Sequence, residues 1–173
     1  MSFVLITSLA ALRDGIAKHS PSHIVTLLSS GYMIDTPDGF PAGRHLRLSM
    51  HDIADEGLPE SPARAHVDRL IEFGRGWDAS APMIVHCWAG ISRSTAAAYA
   101  ILCDRAGPGA ERDIAEALRE RAPHAQPNRL LVRFADEALG RDGALVRAIE
   151  AIGSGSTATE GFPVEIPLHK RRP

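Results

Sequence analysis

Apolar residues change their period along the chain, and each change marks an element. Residues 3–9 (FVLITSL) and 23–28 (HIVTLL) are short runs rich in Val, Ile and Leu, the pattern of buried strands. Between them, 10–20 (AALRDGIAKHS) has helical spacing, which makes a β-α-β opening. Gly and Pro recur through 29–44, which reads as a loop, and 45–50 (HLRLSM) reads as a third strand. Residues 61–77 begin with Ser-Pro, a favourable helix start, and set Val67, Leu70, Ile71 and Phe73 along one face. A fourth strand is predicted at 82–86 (PMIVH), and the Ala-rich run from Ser92 to Gly107 predicts a helix closed by glycine. Further helices are predicted over 110–122, 128–139 and 144–152. Strands alternating with helices predict an α/β fold, a central and mostly parallel sheet flanked by helices. From residue 153 the chain opens like a flexible Gly/Ser linker and ends on Lys170, Arg171 and Arg172. The expected division is a single domain over 1–152 and a flexible tail over 153–173.

Composition narrows the function classes. A chain of 173 residues, 45% apolar and 23% charged, is ordinary for one globular domain. Lys and Arg number 19 against 21 for Asp and Glu, so no global charge draws the protein to nucleic acid or to an anionic membrane. Any anion must be held locally. The two cysteines, Cys87 and Cys103, are too few for a disulfide-built scaffold, which points to a reducing, cytoplasmic setting. The opening run MSFVLITSLAAL has no preceding Lys or Arg and is short for a secretion signal. No apolar run reaches the roughly 18 residues of a bilayer span, so no membrane partner is expected.

Chemistry concentrates at 86–94 (HCWAGISRS), between the fourth strand and the Ala-rich helix. If this loop curls round, the amides of Trp88, Ala89, Gly90, Ile91, Ser92 and Arg93 point inward beside a helix N-terminus, a cradle for a dianion. Gly90 lets it bend. Arg93 adds a planar fork that matches two phosphate oxygens and keeps its charge at physiological pH. The field that attracts phosphate also favours a thiolate at Cys87, placed beneath the phosphorus for in-line attack. Ser94 is within reach of the Cys87 sulfur, and His86 is suited to orienting the loop through hydrogen bonds.

HCWAGISRS resembles the His-Cys, five residues, Arg-Ser/Thr signature of the protein tyrosine phosphatase superfamily, at every defining position. AGISRS with its Ala-rich helix is most similar to the dual-specificity, cysteine-dependent branch, and PNRLL at 127–131 is similar to the Pro-Asn that opens the last core helix there. The likeness covers about residues 3–140, sharply only in the loop. It implies hydrolysis of a phosphate monoester, chiefly protein phosphotyrosine, through a cysteinyl-phosphate, without metal or cofactor. Its partner is a phosphorylated protein or another phosphomonoester.

A poor leaving group must be protonated, and the same acid then activates water. The resemblance puts this acid directly after the strand that precedes the helix before the loop, which is Asp52. Asp52 lies 35 residues before Cys87 and Asp55 lies 32, and the usual gap fits Asp55 better. Strand-end placement ranks Asp52 first, with Asp55 as the alternative.

Other readings have weaker grounds. The same loop would also serve a non-catalytic phosphoprotein-binding module, against which Cys87 and Arg93 stand intact. Rhodanese-like or arsenate chemistry also places a cysteine in an anion loop, but arsenate reduction usually uses resolving thiols, and Cys103 sits about 16 Å along the helix. Cys103 reads as a core thiol. His51 beside Asp52 evokes a metal-binding pair, yet His45 and His66 complete no ligand pattern. Trp88 shapes the rim or packs. Phosphotyrosine-only against dual specificity, the physiological substrate and the oligomeric state are not legible in the residues.

Overall fold

The computed structural model describes residues 2–168. In chain order the elements are β1 (Phe3–Ser8), α1 (Leu12–His19), β2 (His23–Leu28), β3 (His45–Ser49), α2 (Arg64–Gly76), β4 (Met83–Cys87), α3 (Arg93–Ala106), α4 (Glu111–Arg121), α5 (Arg129–Leu139), α6 (Ala144–Ala151) and β5 (Val164–Pro167). The five strands form one sheet in the order β3-β2-β4-β1-β5. The first four strands run parallel, and β5 runs antiparallel to β1. β4 lies between the two strands of the opening β-α-β unit, with Val85 opposite both Ile6 and Val25. Its carboxyl end, Cys87, is therefore in the middle of the sheet, at the edge where parallel α/β sheets bind ligands.

The two-residue period of the strands sorts the core. Leu5, Ile24 and Ile84 face α1 and cluster with Leu12. Their neighbours Val4, Ile6, Val25, Leu27, Met83, Val85 and Cys87 face the larger helical layer on the other side. Covering both faces is why β1, β2 and β4 read as continuous apolar runs instead of alternating ones. α3 lies against β4, α2, α4 and α5, and 12 of its 14 residues are buried. Its alanines let backbone approach backbone at that crowded centre.

β2 has the bounds its apolar run predicts, and the other predicted elements shift by one to three residues. The largest shift is at α2, which starts at Arg64 and not at Ser61. The Ala63 amide, just before the helix, donates to His66 Nδ1 at 3.0 Å, so an imidazole in the first turn holds the entry to α2.

Residues 153–168 depart from the expected flexible tail. Gly155 donates its amide to Gln126 Oε1 at 2.7 Å and Ser156 to the Pro123 carbonyl at 2.8 Å. The Arg119 guanidinium ties the carbonyls of Pro123 and Ala125 to that of Gly153. The chain then enters β5, where Val164 and Ile166 are buried opposite Ile6 and Val4 while Glu165 stays exposed. The Gly/Ser-rich spelling is thus a strap held by specific bonds. Lys170, Arg171 and Arg172 lie outside the described residues. Among the described residues, no helix is long and apolar enough to cross a membrane.

Candidate active site

From Cys87 to Arg93 the chain turns from strand to helix in five residues, and its peptide groups point in opposite senses. Carbonyls point outward: Trp88 accepts from the Leu9 amide, Ala89 from Gly161, Ile91 from Gln126, and Ser92 from Asn128 and Ala96. Among the described residues, no amide from Trp88 to Ser92 donates to a protein acceptor. The Thr95 hydroxyl, which donates to the Ile91 carbonyl at 2.6 Å, fixes the joint with α3. Gly90 holds φ at +72°, and a Cβ there would meet the Ser8 amide nitrogen and the Thr7 carbonyl carbon, each at 2.9 Å. The bend requires both the left-handed conformation and the close approach to β1. The result is a bowl of unpaired N–H groups at the N-terminus of α3, a local concentration of positive potential.

Cys87 lies at the base of this bowl, 2% exposed, with Sγ 3.1 Å from Ser94 Oγ. Arg93 is 7% exposed; Nη1 donates to the Met50 carbonyl at 2.8 Å, and buried Nε has no partner among the described residues. The guanidinium is anchored to the end of β3 through Nη1, and Nε–H keeps an unused hydrogen bond beside the loop.

His86 is fully buried and faces away from the bowl. Thr26 Oγ1 lies 2.7 Å from His86 Nε2 and 2.7 Å from His45 Nε2, and His45 Nδ1 lies 3.0 Å from Thr36 Oγ1. Thr26 has one hydroxyl proton and two lone pairs, so at least one imidazole donates to it and at most one accepts from it. Burial pulls His86 down to about 4, with neighbouring His45 adding to the effect, and burial pulls His45 to about 4 as well. Both rings are therefore neutral at pH 7. His86 thus lies behind the loop, bonded to Thr26 on β2.

The two acid candidates are placed very differently. Asp52 Oδ1 accepts from Ser92 Oγ at 2.7 Å and from Asn128 Nδ2 at 2.9 Å, which brings the carboxylate to the rim of the bowl. Asp55 is exposed and, among the described residues, has no hydrogen bond or ion pair to the loop, so the shorter gap to Cys87 does not bring it there. Asn128 is 5% exposed and joins three parts of the molecule. Its Oδ1 caps α5 by accepting from the amides of Leu130 and Leu131, and Nδ2 also donates to the Ile53 carbonyl at 3.1 Å. Ser92 is the residue before α3, yet its hydroxyl serves Asp52 and leaves the helix amides uncapped. His51 Nε2 lies 2.7 Å from Glu60 Oε2 across the base of the Asp52 loop. Cys103, fully buried, has its thiol pushed up by burial.

Trp88 stands at the rim, 54% exposed, in edge-to-face contact with Tyr32, their ring centres 5.0 Å apart. With Leu28, Ser29 and Arg93 they line a cavity of about 190 Å³. Tyr32, Thr26, His45 and the bridging role of Asn128 were not legible in the sequence. Only the Pro-Asn spelling before α5 hinted at the last.

No protein-family model matches the chain, and no curated protein matches its sequence. Solved structures do match its fold. The crystal structure of DUSP15 superposes with a TM-score of 0.58 at 20% identity, over 87% of this chain and 92% of that one. PTPMT1 in complex with PI(5)P gives 0.56 at 19% identity, over 84% and 94%. The Yvh1 phosphatase domain from Chaetomium thermophilum gives 0.53 at 24%, over 79% and 88%. The five-stranded sheet, the helical layers around it and the loop at the carboxyl end of β4 together give this chain the fold of the dual-specificity branch of the protein tyrosine phosphatase superfamily.

Proposed function

We propose that the protein is a phosphatase that hydrolyses a phosphate monoester, chiefly phosphotyrosine on proteins, through a cysteinyl-phosphate. One observation carries the reading: the loop turns its carbonyls outward and its unpaired amides inward around Cys87, with Arg93 beside them. The dianion binds to those amides and to Arg93. The Cys87 thiolate attacks phosphorus in line; the S–P bond forms as the P–O bond to the leaving group breaks, and Asp52 gives its proton to the departing oxygen. Both donors to Asp52 sit on Oδ1, which leaves Oδ2 to carry that proton. Water then attacks phosphorus, Asp52 takes its proton, the S–P bond breaks, and inorganic phosphate leaves. Ser94 Oγ–H steadies the returning thiolate across 3.1 Å. No step calls for a metal or cofactor.

The Tyr32–Trp88 rim favours an aromatic ester, because two aromatic faces at the mouth suit a phenyl ring. Residues 88–92 contain no lysine, which argues against a polyphosphorylated headgroup. The test is p-nitrophenyl phosphate hydrolysis in EDTA and reductant, with Cys87→Ser as control. Turnover by the wild type and its loss in Cys87→Ser are expected. Absence of wild-type turnover between about pH 5 and 7, where enzymes of this chemistry hold a thiolate, would overturn the reading in favour of a phosphoprotein-binding module.

A further inference from the structure

The strap brings a carboxylate to the site. A cavity of about 320 Å³ is lined by Leu9, Ala10, Trp88, Ala89, Thr159 and Glu160. Trp88 lines both this cavity and the one that Tyr32 and Arg93 line. Glu160 is fixed from two directions. Its Oε1 accepts from Ser8 Oγ at 2.5 Å, and the next amide, Gly161, donates to the Ala89 carbonyl at 2.8 Å. Ser8 ends β1 directly opposite Cys87, so the Glu160 carboxylate is held one strand away from the nucleophile's own position in the sheet. Gly161 is needed there: a Cβ would lie 2.4 Å from His124 Nε2 and 2.9 Å from the Gly90 carbonyl oxygen. Phe162 packs edge-to-face on His124, with ring centres 4.6 Å apart, and pins the strap beyond that point.

Among the described residues Glu160 has no cationic partner. Apart from the Thr159 hydroxyl, its cavity offers aliphatic and indole walls. A carboxylate backed by such walls matches a long basic side chain, whose methylenes lie along apolar surface and whose charge meets both Glu160 and the indole face. Consecutive residues of an extended peptide are spaced about 3.3–3.6 Å apart, so a side chain one or two residues from a phosphotyrosine reaches across a single indole. We propose that this cavity is a subsite for an arginine or lysine flanking the phosphorylated residue, with Glu160 as its recognition group. The proposal rests on the phosphopeptide reading above.

The test measures binding of phosphotyrosine peptides to Cys87→Ser by fluorescence anisotropy, with Arg placed in turn at each position within two residues of the phosphotyrosine and matched Glu peptides as controls. At one position the Arg peptide is expected to bind about threefold to tenfold more tightly than its Glu partner. In Cys87→Ser/Glu160→Gln, which keeps an acceptor for Ser8, the ratio should fall to about one, and in Cys87→Ser/Glu160→Arg it should invert. Equal affinities in Cys87→Ser, or a ratio that survives Glu160→Gln, would overturn the subsite. No binding of any phosphopeptide would overturn the subsite together with the phosphopeptide reading. Wild-type turnover of p-nitrophenyl phosphate, measured alongside, reports on the phosphatase chemistry alone.

Discussion

Thr26→Val removes one oxygen from the centre of the sheet and keeps the side chain's shape. It leaves no cavity, so its cost is that of the hydrogen bonds alone. Thr26 Oγ1 serves His86 Nε2 and His45 Nε2, each at 2.7 Å, and Thr26 and His86 are fully buried while His45 is 7% exposed. After substitution the Nε2 atoms of both imidazoles lose their partner. A buried polar group left unsatisfied costs about 1–3 kcal/mol, so the two together cost about 2–6 kcal/mol. Since a domain is stable by roughly 5–15 kcal/mol, the loss is a large fraction of the total. Urea unfolding followed by the fluorescence of buried Trp77 and rim Trp88 measures it. The expected result is a lower midpoint at unchanged slope, with Thr26→Ser, which keeps the hydroxyl, much closer to the wild type. A loss below about 1 kcal/mol would refute the reasoning, because it would mean that neither imidazole depends on Thr26.

Three further outcomes are expected. Burial holds His86 and His45 at about 4, below the 6.5 of an unfolded histidine, so the unfolded chain binds more protons in between; stability is full above pH 6.5 and falls as pH drops towards 4. His86 alone accounts for up to about 3 kcal/mol of that fall, and equal urea midpoints at pH 7 and 4.5 would contradict it. Asp52→Asn should slow phenyl phosphate about a hundredfold and p-nitrophenyl phosphate far less, since only the poorer leaving group needs the proton. Equal slowing of the two esters would move the acid role away from Asp52. Gly161→Ala forces a Cβ against His124 and the Gly90 carbonyl and should cost about 1–3 kcal/mol by thermal melting, with earlier proteolysis in 153–168. An unchanged melting temperature and digestion pattern would show that the strap tolerates the side chain.

Local sequence determines much of this protein because its elements are marked by short-range signals. The apolar runs of β1, β2 and β4 and the Ala-rich α3 are legible because a strand buried on both faces, or a helix buried all round, admits few polar residues. HCWAGISRS is legible because one continuous loop supplies the Cys87 thiol, the amides and the guanidinium, so spacing along the chain equals placement in space. Asp52 was only half legible. Its distance along the chain favoured Asp55, while the bonds that bring it to the loop come from Ser92, 40 residues on, and Asn128, 76 residues on.

The remainder was decided by tertiary structure. Thr26 and His45 look like ordinary strand residues until parallel pairing sets them beside His86. Tyr32 looks like a loop residue until β2 brings it to Trp88. Residues 153–161 look like a linker because glycine and serine have little preference of their own, and only contacts with Arg119, Gln126 and Ala89 give them a path. Hydrophobic period and turn chemistry act over a few residues and are written locally. The polar contacts that hold Asp52, His86 and the strap join residues far apart in the chain, and only the folded sheet brings them within hydrogen-bond distance.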